Sequence, residues 1–156
     1  MRRHKYQAWH KRERKMYEVT TLLMGFEGKD LVRVKGKSVH NELWVGDDVE
    51  LREYIGHLDV HSKEIHEGDI LLLGYGDGSW YTGAPVVVKY GLHYVGFDSD
   101  AASSGPALGF YFSPYPYDEG WNDEPVGVGE NFSWKSPVEI IGNVWENSDL
   151  LKEQAK

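Results

Sequence analysis

The sequence predicts a mainly β protein, and three observations carry that expectation. Eighteen glycines, ten tyrosines and six tryptophans in 156 residues favour strands joined by turns, because glycine supplies turn conformations and aromatic rings suit a pleated surface. Helical spacing of apolar residues is nearly absent. The apolar runs are short, bounded by glycine, and several alternate with polar residues at a period of two.

The first element expected is a hairpin: "KYQAW" and "MYEVTTLL" read as strands around the polar turn "HKRERK", with Tyr6 and Ala8 alternating against Gln7 and Trp9. "DLVRVKG" and "ELWVG" follow as short strands. In "DVELREYIG", Val49, Leu51, Glu53 and Ile55 alternate against Glu50, Arg52 and Tyr54, as in a strand with one buried face. "DILLLG" is a continuous apolar run between Gly68 and Gly74 and is expected as a core strand. "PVVVKY" and "LHYVGF" are expected to pair with each other across Gly91, and residues 98–131 read as a long loop excursion holding one strand candidate, "ALGFYF". "SPVEIIGNVWEN" is the last strand, and "SDLLKEQAK" a short helix with Asn147 as its N-cap and Asp149 in its first turn.

At this length one domain can bury a core without disulfides, and the chain has no cysteine, which removes thiolate chemistry and fits a reducing cytoplasm. No apolar run is long enough to span a membrane, and no apolar segment backs the basic N-terminus, so an unexported, cytoplasmic protein without membrane association is expected. The net charge of −8 is unevenly spread. Residues 1–15 hold Arg2, Arg3, Lys5, Lys11, Arg12, Arg14 and Lys15 against Glu13 alone, a balance of +6 that leaves −14 for the rest. Such a stretch suits either a solvated strand edge or contact with nucleic acid; its alternation with apolar residues favours the strand.

Three blocks, in order across nearly the whole chain, resemble the YopX family of small phage and prophage proteins of Gram-positive bacteria. The first, "KYQAWHKRERKMYEV", carries Ala8, Trp9, Lys15 and Met16. The second, "EYIGHLDVHSKEIHEGDIL", carries Tyr54, Ile55, Gly56 and Asp59, then Lys63, Glu64 and Ile65, then Glu67, Gly68, Asp69 and Ile70. The third, "VEIIGNVWENSDLL", carries Ile141, Gly142, Asn143, Glu146, Asn147, Leu150 and Leu151. The resemblance implies a β-rich fold with an SH3-type barrel, to which the residues read above add extra β-hairpins, the long loop excursion and the short C-terminal helix. As a single domain over 1–156, it would comprise an N-terminal hairpin region over 1–48, the barrel over 49–147 with its 98–131 excursion, and the helix over 148–156. It implies no activity and carries over no catalytic residue or cofactor.

Two constellations invite chemistry. His57, His61 and His66 lie among Asp59, Glu64, Glu67 and Asp69, donor types that suit a divalent cation. Side chains along a strand diverge to opposite faces, however, and the family tends to carry Leu, Asn and Tyr at the three histidine positions. Asp59 and Ser62 suit a turn, and Gly68 permits a corner that aims Ile70, Leu71 and Leu72 into the core. "GYGDGSW" has glycine spacing but no helix behind it to bind phosphate, and "ASSGPA" lacks the strand–elbow–helix setting of a nucleophile. No metal, cofactor or catalytic residue is therefore expected.

Binding is the better-supported role. Between Lys89 and Lys135 there is no Lys or Arg, while seven acids stand among aromatics that include Tyr111, Phe112, Phe132 and Trp134. Rigid rings and carboxylates together suit a basic protein surface. The expected contact residues are Tyr115, Tyr117, Asp118, Glu119, Trp121, Asp123 and Glu124, with a host or phage protein as partner. The alternative is nucleic acid held by Arg2, Arg3, Lys5, Trp9, Lys11, Arg12, Arg14 and Lys15. Exposed edge strands and surface aromatics are compatible with a homo-oligomer of unspecified order.

Overall fold

Lys11–Arg14 form the turn that the first block's charges announce, and the strands on either side pair antiparallel. The computed structural model describes residues 4–38, 41–74, 85–95, 105–114, 126–127 and 137–151. It divides into two compact units, residues 1–56 and 57–156, so the boundary falls within the strand that starts at Val49.

In the first unit the strands are β1 (Tyr6–His10), β2 (Lys15–Phe26), β3 (Lys29–Val34), β4 (Leu43–Trp44) and β5 (Val49–Leu58), in the order β4-β3-β2-β1-β5. β1 is therefore central, bonded to β2 from Gln7↔Glu18 to His10↔Lys15 and to β5 from Tyr6↔Glu53 to His10↔Val49. The basic residues beside it, Lys5, Lys11, Arg12, Arg14 and Lys15, therefore do not guard an exposed strand edge, since β1 and β2 are each paired on both sides. The one-sided alternation of β1 fails too, because Ala8, Trp9 and His10 are all buried in succession. β2 and β3 turn over at Glu27 and Gly28, both at positive φ, between the paired Phe26 and Lys29. Two residues of that handedness match the natural twist of a hairpin. The core gathers Ala8, Val32, Val34, Leu43 and Val49, with Tyr17, Val19 and Leu22 packed against it. In β5, Val49 and Ile55 are buried as expected, but so is Arg52, whose Nε donates to Gln7 Oε1 at 3.0 Å.

The second unit holds β6 (Glu64–His66) and the sheet β10-β9-β8-β7-β11. Its strands are β7 (Asp69–Leu73), β8 (Val86–Val95), β9 (Gly105–Pro114), β10 (Val126–Gly127) and β11 (Val138–Asn143). β8 is one continuous strand, so "PVVVKY" and "LHYVGF" are joined end to end and do not pair across Gly91. A tight hairpin needs two adjacent residues suited to positive φ; Gly91 stands alone between Tyr90 and Leu92, and it pairs instead with Gly109 in β9. β9 extends the expected "ALGFYF" to ten residues and aligns with β8 from Val86↔Pro114 to Val95↔Gly105. Some of the predicted excursion is thus sheet.

Within each of these orders, no pairing among the described residues joins the two end strands, so neither sheet is a closed barrel. The C-terminal helix is a four-residue 3₁₀ turn, Ser148–Leu151, and the remainder of the predicted helix lies outside the described residues. The turn brings Leu151 into a core with Ile70 and Val87, with Leu150 packed against it. The Asn147 carboxamide oxygen turns back to accept from Asn143 N–H at 3.2 Å.

Glu67-Gly68-Asp69 is the corner the sequence predicts. Gly68 sits at φ +79, donates to Val88 O at 2.8 Å and accepts from Val144 N–H at 2.9 Å. Asp69 Oδ2 closes the turn by accepting from His66 N–H at 2.7 Å. A Cβ on Gly68 would lie 2.4 Å from the Trp145 ring. Gly68→Ala therefore combines left-handed strain with overpacking and is expected to cost about 2–5 kcal/mol. At Gly36, with φ +81 and open space, Ala should cost only about 1–2 kcal/mol. Urea midpoints of the two variants measure the difference.

Candidate functional site

The turn between β1 and β2 carries Lys11, Arg12 and Arg14 of the basic block, and the structure distributes the charges of the block unequally. Lys11 lies along the adjoining strand, its Nζ donating to Gly46 O at 2.6 Å and standing 3.3 Å from Glu50. Lys15 rests over the Tyr17 ring at 5.2 Å and Lys5 over the Tyr54 ring at 5.3 Å. Arg12 and Arg14 are exposed at the tip. Arg14 adopts φ 51, held by its N–H donating to His10 O at 2.8 Å, a conformation that costs a β-carbon-bearing residue about 1–2 kcal/mol.

Glu13, the lone acid of the block, is turned aside into a cluster. One carboxylate oxygen accepts from Lys37 Nζ and lies 3.4 Å from His10 Nε2, and the other accepts from Tyr17 O–H at 2.6 Å. Glu13 N–H donates to His10 Nδ1 at 3.2 Å, so the ring hydrogen belongs on Nε2, facing the carboxylate. The hydrogen bonds from Lys37 and Tyr17 hold Glu13 down at a pKa of about 2, with further help from the Lys37 charge, against an opposing effect of burial. The same hydrogen bond, with burial and the Glu13 charge, raises the Tyr17 hydroxyl, against Lys37. Both carboxylate oxygens are occupied and the phenol is kept protonated, so this cluster fixes charges and offers no free base. Sequence proximity shows Glu13 and Tyr17, but Lys37 arrives only through the β2–β3 hairpin.

The three histidines of the second block have separate surroundings. His61 is exposed, with Nε2 3.2 Å from Glu139 Oε1. His66 is buried, with Nδ1 3.0 Å from Glu64 O, and His57 is half-buried in β5. Among the described residues no group of three or more His, Cys, Asp or Glu side chains is arranged to hold a metal ion. Asp59 instead closes the turn before β6: Oδ1 accepts from His61 N–H and Lys63 N–H, each at 2.8 Å, and Oδ2 from Ile140 N–H at 3.4 Å. Ser62 takes φ 62 in the same turn. Burial raises the Asp59 pKa, but the backbone donors of Lys63, His61 and Ile140 outweigh it, and the His61 charge adds to them, so the net shift is downward.

Of the expected sites, Tyr115, Tyr117, Asp118, Glu119, Trp121, Asp123 and Glu124 lie outside the described residues, as do Arg2 and Arg3. The basic set is partly brought together and partly dispersed. Trp9 is only 8 % exposed and so has no free face for a base to stack on. Elsewhere on the first unit cations are matched: Lys29 with Asp47, Arg33 with Glu42 and Lys35 with Glu18. Among the described residues no helix is long and apolar enough to cross a membrane.

Fold and surface together define a small antiparallel β protein whose first unit is laced with ion pairs. The chain belongs to the YopX family, whose model, described as YopX protein, matches residues 5–152. No curated protein matches it. The first resembling block falls on β1 and β2, the second on β5 to β7, and the third on β11 and the 3₁₀ turn.

Two outcomes are expected. In a carboxyl NMR titration Glu13 should change protonation near pH 2, and Lys37→Ala should move its midpoint toward the ordinary 4.5. Asp59→Ala leaves three backbone donors without their acceptor and should cost about 1–3 kcal/mol at neutral pH. Because the folded pKa of Asp59 lies below 3.8, its contribution is full above that value and disappears as pH falls through the depressed one. Urea unfolding of wild type and variant in neutral and acid buffer measures that convergence.

Proposed function

We propose that this YopX-family chain is a non-enzymatic accessory protein of a phage or prophage that binds a host or phage protein in the bacterial cytoplasm. The observation that carries the reading is the division of charge between the two units. Residues 1–56 hold twelve Lys and Arg against nine Asp and Glu, a net of +3; residues 57–156 hold five against sixteen, a net of −11. The described acids of the second unit include exposed Glu146 and Asp149, and the cation-free span from Lys89 to Lys135 adds seven more. An acidic face rich in aromatic rings matches a basic protein partner, whose Arg and Lys gain both ion pairs and ring contacts. The scaffold assigned to this role is the SH3-type barrel, whose closure takes strand pairings beyond the two linear orders described above.

The nucleic-acid alternative has less support. Trp9 is buried, Lys11 is bound to Glu50 and Gly46, and most described cations of the first unit have partners within it. Phosphate affinity grows with the number of cations released to the backbone.

Affinity capture from host lysate, with and without nuclease, tests the assignment. Wild type should retain a nuclease-resistant protein partner, and reversing the charge of Asp118, Glu119, Asp123 and Glu124 should release it while the chain stays folded. Undiminished recovery by the charge-reversed variant would refute the site.

A further inference from the structure

Ten Lys and Arg side chains of the first unit are described, and eight have a side-chain partner, whether an ion pair, a hydrogen bond or an aromatic face. Arg12 and Arg14 are the two without one among the described residues, and both project from the Lys11–Arg14 turn. Glu13 stands between them in sequence, yet its carboxylate is held away from them by Lys37, Tyr17 and His10. The turn is thereby a two-pronged cation whose own counter-charge has been withdrawn.

Position 14 adds a second, independent observation. Its φ of 51 is one that glycine adopts without strain, and the structure keeps an arginine there. A residue that bears local strain, with a guanidinium that has no partner among the described residues, is placed for contact outside its own unit. Two free guanidiniums decide what kind of contact. With the neighbouring Lys15, whose contact with the Tyr17 ring leaves its charge intact, they neutralise about three phosphates, too few for more than weak nucleic-acid binding at physiological salt. Two arginines are enough to anchor a protein interface, where a few such residues carry most of the energy. Arg also presents a planar fork that meets a carboxylate with two parallel hydrogen bonds.

We infer that the Arg12/Arg14 prong docks on the acidic second unit of another copy of this chain. The inference rests on reading that unit as a protein-binding surface and names one occupant for it. Charge complementarity selects the occupant, since the unit of net −11 travels with every prong. At physiological salt, charges interact over about 8 Å, so the local match outweighs the repulsion between two chains of net −8.

Sedimentation velocity of the full chain over a range of concentrations, in low and high salt, tests it. Wild type should associate in low salt and dissociate as salt rises. Arg12→Glu with Arg14→Glu should raise the dissociation constant about tenfold or more without lowering the unfolding midpoint. Arg14→Gly should separate function from fold, weakening association while raising the unfolding midpoint by relieving φ. A wild-type chain that is monomeric in every salt, yet still captures a host or phage protein, overturns this inference and leaves the binding reading standing. Undiminished association of the double variant overturns it as well. So does prong-dependent retention of a labelled oligonucleotide by a monomeric chain.

Discussion

The backbone of Gly68 holds the second unit's sheet in order. Its N–H reaches Val88 O in β8 and its carbonyl receives Val144 N–H just past β11, so one peptide corner is bonded toward both strands that flank β7. The corner exists only because this residue accepts φ +79 and leaves the Trp145 ring room to close over it. Asp69 then fastens the start of β7 to the end of β6 through His66 N–H. The apolar residues that follow, Ile70 and Leu71, enter the sheet completely buried as a result. Asp59 acts similarly in the preceding turn, where its carboxylate takes the donors of its own turn and reaches Ile140 in β11. Two acids and a glycine in the second block thus serve backbone closure, which is why acids and histidines crowded there do not converge on a common point.

Much of this was legible in the sequence, and the reasons are local. The first hairpin announces itself by a run of charged residues between two alternating stretches, and the corner by a glycine between two acids ahead of an apolar run. Where the reading departs from the structure, the missing information is long-range. Nothing within "KYQAW" tells that Trp9 will be buried as well as Ala8, although successive residues of a strand face opposite sides of the sheet. Arg52 reads as a solvent-facing residue until Gln7, 45 positions away, supplies its acceptor. Gly91 looks like a turn because glycine usually is one, and only the register with Gly109 shows a bare rung within a long two-stranded ribbon. The candidate site divides in the same way. Arg12 and Arg14 stand out by charge alone, whereas the withdrawal of Glu13 depends on Lys37, delivered by a second hairpin.

Charge is the other organising theme. The first unit spends most of its cations internally and keeps two at a turn tip, while the second accumulates acids with few cations to offset them. Surface ion pairs of the first kind contribute little stability individually. Their more useful effect is selective: they cancel charge where they stand, and the two arginines of the turn tip have no such pair among the described residues.

The Glu13 cluster settles which solution variable that feature can sense. A carboxylate held at a pKa of about 2 does not regain its proton anywhere in the range a cell visits. Acidification therefore cannot free Lys37 to enlarge the positive tip, nor remove the negative charge beside it. The pairing of Glu13 with Lys37 holds in a neutral compartment and a mildly acid one alike, and ionic strength is the condition that tunes the reach of the charges at the tip.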